Sequence, residues 1–109
     1  MITPRVQAIL STADLSRMSE GRMSELMNTT KSTLKRRLGK EGESYGRLLL
    51  AERRSRCVVL LEISPRTRLD TLTARCGYLQ SQNFTRAFRS WFGFTLSDYR
   101  SDSSLVISV

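Results

Sequence analysis

The chain has no histidine at all, two prolines and two cysteines among 109 residues. Without histidine there is no imidazole base and no Cys/His zinc site, and no Cys-x-x-Cys pair supplies an alternative. Acids are scarce too: 10 Asp and Glu stand against 18 Lys and Arg, for a formal charge of +8. No apolar run approaches the length of a membrane span, and the first residues lack the apolar core of a signal peptide. Alternating β-branched runs are nearly absent before the last few residues, so the composition points to an all-α chain. At this length it forms one compact domain, or two very small ones sharing a connector. Cys57 and Cys76 each sit inside an apolar pattern and read as small buried thiols, as suits a reducing cytoplasm; a disulfide between them is the less common alternative.

What is present is a strong arginine bias and a series of helix signals. Arginine dominates the cationic residues and favours bidentate contact with phosphate or base edges. A strongly basic domain carries the electrostatic footprint of a nucleic-acid binder, although a solvated surface or a membrane-surface protein has the same charge.

Seven helices are expected. Thr3 is read as the cap of the first, with Pro4 in its first turn and Val6, Ile9, Leu10 and Ala13 on one stripe. Ser19 caps a second, whose apolar face is Met23, Leu26 and Met27, and Asn28 ends it. Thr30 caps a third, with Leu34 and Leu38 as its i, i+4 core pair. Ser44 opens a long fourth helix carrying Tyr45, Leu48, Leu49, Cys57, Val58, Leu60 and Leu61. Its polar centre, residues 52–56, is expected to cross solvent between two packed ends. Ser64-Pro65 closes it. A short fifth helix spans Leu69 to Cys76 and is stopped by Gly77. The sixth runs from Ser81 to Phe92 with Phe84 and Phe88 inward. Thr95 to Asp98 is a capping-box pattern that starts the seventh. Residues 102–109 have no helical pattern and are expected to be disordered. The expected organisation is a first helix-turn-helix subdomain over 3–42, a connector over 43–64, and a second helix-turn-helix subdomain over 65–101.

Leu72-Thr73, Gly77-Tyr78, Phe84, Arg86, Phe88, Arg89, Gly93, Thr95 and Arg100 reproduce, spacing by spacing, the signature of a known family. The chain resembles the DNA-binding domain of the AraC/XylS transcription regulators over about residues 5 to 100. Residues 29–38, TTKSTLKRRL, resemble the family's first recognition helix and residues 53–61 its connector, with Arg53 at the usual Arg. Within the family the flavour is that of enteric virulence and acid-response regulators, and the chain is either a stand-alone member or an excised domain. Departures are Thr73 for Ala, Leu96 for Pro, and Leu79-Gln80 where the family often has Ser-Ser, which leaves Ser81 to take over the cap.

The resemblance implies an all-α fold of two helix-turn-helix subdomains and a double-stranded DNA partner, with RNA polymerase as a second. It implies no catalytic activity, cofactor or metal, and a cytoplasmic, nucleoid-associated protein with no dimerisation domain of its own. The expected base contacts are Lys31, Ser32, Lys35 and Arg36 in the first half and Ser81, Gln82, Asn83 and Arg86 in the second. Arginine suits guanine; Gln and Asn suit adenine. Each carries a plainer alternative: phosphate contact or solvated charge for the basic residues, capping alone for Ser81, and a phosphate clamp for Arg86 if the second helix docks on backbone. Thr30, Arg37, Lys40, Thr85 and Arg89 are the expected phosphate contacts, which position without specifying sequence. The function expected is a sequence-specific transcription regulator of the activator type. A non-specific nucleic-acid module and an adaptor or anti-activator working through protein contacts are the alternatives.

Overall fold

A computed structural model describes residues 1–108. Among these it has seven α-helices and no strand: α1 Thr3–Thr12, α2 Glu20–Leu26, α3 Lys31–Lys40, α4 Tyr45–Ile63, α5 Leu69–Arg75, α6 Ser81–Phe92 and α7 Leu96–Ser101. A single 3-10 turn, Leu15–Arg17, follows α1. The contacts divide the chain into two units, Met1–Glu52 and Arg53 onward, with the division falling inside α4. The sequence of α4 accounts for this: Tyr45 and Leu48 belong to one core, and Cys57, Val58 and Leu61 to the other.

The first unit is built on Ile2, Val6, Leu10, Leu15, Met23, Leu34 and Leu38, all essentially inaccessible. Tyr45 closes it by donating its hydroxyl to the Met18 carbonyl at 2.7 Å. In α2 the buried pair is Met23 and Ser24, while Leu26, expected inward, is exposed. The Ser24 hydroxyl is satisfied by the Glu20 carbonyl at 2.8 Å, so a polar side chain is buried there without an orphaned group.

Thr3 does not cap α1. It is the first helical residue, and Ile2 precedes it with no side-chain cap of its own. The cap comes from far along the chain. Glu41, the residue that ends α3, accepts from the Ile2 and Thr3 amides at 2.8 and 2.9 Å. These bonds hold the Glu41 carboxyl down from its ordinary 4.5 to about 2. A carboxylate at a helix start is favoured by the orphan amides and the helix dipole together.

The second unit surrounds an aromatic cluster. Phe88 lies at its centre, with ring centroids at 4.8 Å to Phe92, 6.2 Å to Phe84 and to Phe94, and 6.5 Å to Tyr99. Phe84 and Phe88 are fully buried, while Trp91 and Phe92 are half-buried at the rim. The capping box at α7 forms as expected: the Asp98 amide donates to Thr95 Oγ1 and the Thr95 amide to Asp98 Oδ2, both at 3.0 Å.

Two expectations fail here. The polar centre of α4 does not cross solvent: residues 52–56 are half-buried. Arg53 lies over the Tyr78 ring at 4.5 Å and Arg54 over Phe92 at 5.1 Å. A guanidinium face stacks on a ring, which lets a charged stretch pack, although Nε of both Arg53 and Arg54 is buried without a hydrogen-bond partner among the described residues. Nor are residues 102–108 disordered in this structure. Ile107 is buried in the second core, and Arg54 donates to the Ser108 carbonyl at 3.1 Å. The apolar pattern at the end of the chain marks a segment that packs. Val109, the last residue of that tail, lies outside the described residues.

Candidate nucleic-acid interface

The two units share one local design. Each has a seven-residue helix, α2 or α5, then a turn, then a longer helix, α3 or α6. Asn28 and Gly77 occupy the same place in the two turns, both left-handed, with φ of 55 and 88°. The Asn28 and Gly77 amides reach back to the carbonyls of Glu25 and Ala74, at 3.0 Å in both turns. The next amides, Thr29 and Tyr78, reach the carbonyls of Ser24 and Thr73, at 2.9 Å in both. This closes the last helical carbonyls in the manner of a left-handed C-cap. Ser24 and Thr73 are also equivalent: each is buried, and each hydroxyl bonds the carbonyl four residues back. The second turn is one residue longer, since Leu34 is six positions after Asn28 and Phe84 seven after Gly77.

Once α3 and α6 begin, the registers coincide. Leu34 and Leu38 face one core, Phe84 and Phe88 the other. Helical periodicity then puts Ser32 and Arg36 on the ridge opposite the first pair, and Gln82 and Arg86 on the ridge opposite the second. Lys35 and Thr85 flank those ridges at matching positions. All six are exposed. Lys31 is exposed as well, and its stem lies against Gly21 of α2, close enough that a Cβ there would stand 3.1 Å from Lys31 Cε. Asn83 is exposed on the other flank of α6.

Ser81 departs from the group. It is half-buried, and its Oγ lies 3.3 Å from the hydroxyl of Thr73, which donates to the Leu69 carbonyl at 2.8 Å. Ser81 is the first helical residue of α6, and Gln80, in the cap position, makes no side-chain cap bond. The cap that Ser81 was expected to supply is therefore not made. Among the expected phosphate residues, Arg37, Lys40 and Arg89 are exposed. Thr30 uses its Oγ1 to accept from the Thr33 amide at 3.1 Å, which caps α3. The Thr85 hydroxyl donates to the Gln82 carbonyl at 3.1 Å.

In the second unit the exposed face is concave. An open cleft of about 860 Å³ is lined by Gln82, Thr85, Arg86 and Arg89 of α6, by Thr95, Leu96, Ser97, Arg100 and Ser101, and by Leu69. Arg100 donates to the Thr67 carbonyl, which fixes one guanidinium edge at the cleft wall. Ser97 and Arg100 were not among the expected contacts; Arg100 belonged to the family pattern, and its place beside Arg86 and Arg89 follows from how α7 packs on α6.

Comparison with known proteins agrees with this architecture. A family profile described as a helix-turn-helix domain matches residues 23–102. The chain belongs to the AraC-type helix-turn-helix family of DNA-binding transcription regulators. It is 39% identical over 67 residues to an HTH-type transcriptional regulator of Mycobacterium tuberculosis, covering 62% of this chain and 19% of that protein. It is 27% identical over 99 residues to the HTH-type transcriptional regulator VqsM of Pseudomonas aeruginosa, covering 91% of this chain and 27% of the relative. The chain thus spans only about a fifth to a quarter of the length of these relatives. Among solved structures, a DNA-binding transcriptional dual regulator of Escherichia coli K-12 superposes with a TM-score of 0.82 at 25% identity, over 94% of this chain and 92% of that one. The transcriptional regulator CdpR of P. aeruginosa gives 0.80 at 32% identity, over 92% and 31%. This is a family of DNA-binding regulators and not of enzymes. Among the described residues no helix is long and apolar enough to cross a membrane.

Proposed function

We propose that the chain reads an asymmetric DNA site through both α3 and α6, each entering a major-groove segment, and that it regulates transcription from that site as an activator. One observation carries the reading: the exposed ridges Ser32/Arg36 and Gln82/Arg86 stand at the same register opposite two equivalent core pairs. Amide and guanidinium groups on such a ridge match the donor and acceptor patterns of base edges. Lys31, Lys35 and Asn83 extend the two readers along their flanks. Ser81, turned toward Thr73, serves the α5–α6 contact more than the groove. Arg37, Lys40, Arg89 and the cap residue Thr30 address phosphates, and the cleft between α6 and α7 lets Arg89 and Arg100 straddle one strand's backbone.

A reader of this kind needs two blocks about one helical turn apart, ~34 Å, because successive major-groove faces recur at that interval. The two ridges differ in side chains, so the two blocks differ in sequence and the site is not a palindrome. Activation follows from placing the protein beside a promoter, where RNA polymerase is the partner in contact.

Fluorescence anisotropy with a duplex enriched from a random pool and with its scrambled counterpart tests the reading. Specific affinity at least about 10³-fold above scrambled DNA at physiological salt is expected of a sequence reader. Equal affinity for both duplexes would mean a non-specific module. Absent binding by a folded chain would mean an adaptor acting through protein contacts.

A further inference from the structure

Leu79 is 85% exposed, the most exposed large apolar side chain of the second unit among the described residues. A single leucine on a surface is ordinary and by itself means nothing. Its place gives it meaning. It stands two residues before Ser81, where α6 begins, at the end of a reading helix that meets base edges first.

The backbone around Leu79 is held on both sides. Before it, the Tyr78 amide donates to the Thr73 carbonyl at 2.9 Å, and the Tyr78 ring lies 6.0 Å from Phe84 and 6.3 Å from Trp91. After it, the Gln80 carbonyl accepts from the Asn83 and Phe84 amides at 3.2 and 3.3 Å, which joins the bend to α6. Leu79 is therefore carried by the helix, outside the core, with little backbone freedom left to lose on binding. The corresponding stretch of the first unit is one residue shorter, and the residue before its helix, Thr30, is occupied in capping α3. In the second unit Gln80 makes no side-chain cap bond, and Leu79 is no part of the core cluster. The longer turn thus presents side chains with no task inside the unit. Ser81, meanwhile, is turned toward Thr73, which leaves the reading position at the start of α6 to a neighbour.

We infer that Leu79 is a specificity-determining residue, whose side chain covers the C5-methyl group of a thymine in the major groove, within the block read by α6. The inference rests on the DNA-reading function proposed above. Of the four bases only thymine presents a methyl group in that groove, and apolar contact is the one kind of recognition a leucine offers. Covering one with the other removes apolar surface of both from water. Gln82, Asn83 and Arg86 read hydrogen-bond donors and acceptors. Leu79 adds a discrimination that none of them makes, between thymine and the same base without its methyl.

The test is binding of the full chain to the enriched duplex with each thymine of the α6 block replaced singly by deoxyuridine. The replacement keeps the base pair and the O4 acceptor and deletes only the methyl group. The α6 block is the one in which Arg86→Ala loses base preference. Expected is an affinity about fourfold lower at one of these positions, the worth of one methyl-sized group taken out of contact. Leu79→Ala is expected to melt with the parent, to bind the thymine duplex more weakly, and to bind the thymine and deoxyuridine duplexes equally. Leu79→Met, still apolar and of similar size, keeps the preference for thymine. An α6 block without thymine, no penalty for deoxyuridine at any position, or a penalty that Leu79→Ala retains would each overturn the inference and leave the DNA-reading function standing. A random pool yielding no motif would instead remove the DNA-reading function, and this inference with it.

Discussion

Arg36 and Arg86 hold the same place on two helices, and the account gives them the same task. Truncating Arg36 to alanine is expected to cost about 1–3 kcal/mol on the preferred duplex and to relax base preference in one block only. Arg86→Ala is expected to do so in the other. Binding to a panel of single-base variants of the site checks both; losses uniform across the panel would reassign these arginines to phosphate. Lys40 is assigned to phosphate from the start. Lys40→Ala should weaken binding to all sequences alike and reduce the slope of log K against log salt by about 1. These exposures follow from helical spacing around Leu34/Leu38 and Phe84/Phe88, which is why the residues were legible in the sequence. The tilt of Ser81 toward Thr73 and the entry of Arg100 into the cleft were not legible, because each depends on how one helix crosses another.

At the scale of elements, the local signals at Ser19, Thr30 and Thr95–Asp98 mark helix starts that the structure has, each with its side-chain oxygen on the expected amide. The start of α1 shows where such reading stops. Its cap is Glu41, 38 residues beyond Thr3, and no window along the chain contains both. The consequence is a pH dependence. Because folding lowers the Glu41 pKa from 4.5 to about 2, its contribution is fully present above pH 4.5. As pH falls from there toward 2 the unfolded chain takes up the proton first, and the contribution is lost. Thermal melts across that window should show Glu41→Gln less stable than the parent at pH 6 and converging with it near pH 2; parallel curves would remove Glu41 from the cap. Phe88 makes a second test at this scale. With four rings packed around it, Phe88→Ala is expected to cost about 3–5 kcal/mol through the cavity left behind. A near-parental denaturant midpoint would contradict its central place.

For the whole molecule, the pattern that sequence reading missed has a single physical character. The stacking of Arg53 on Tyr78, of Arg54 on Phe92, and the return of Ile107 to the core all join residues distant in sequence. Each converts a stretch that looks solvated or frayed into part of the second unit. The division of the chain inside α4 has the same origin: one continuous helix carries core residues for both units, and its charged middle is packed by aromatic rings. The central claim is that these two units make a single bipartite reader. The most direct test is selection of bound duplexes from a random pool by the full chain at physiological salt, repeated with Arg36→Ala and Arg86→Ala. The account predicts an asymmetric motif of two blocks about one helical turn apart, ~10 base pairs, with each variant losing information in a different block. A single block untouched by one of the variants, or no enriched motif despite intact binding, would contradict it.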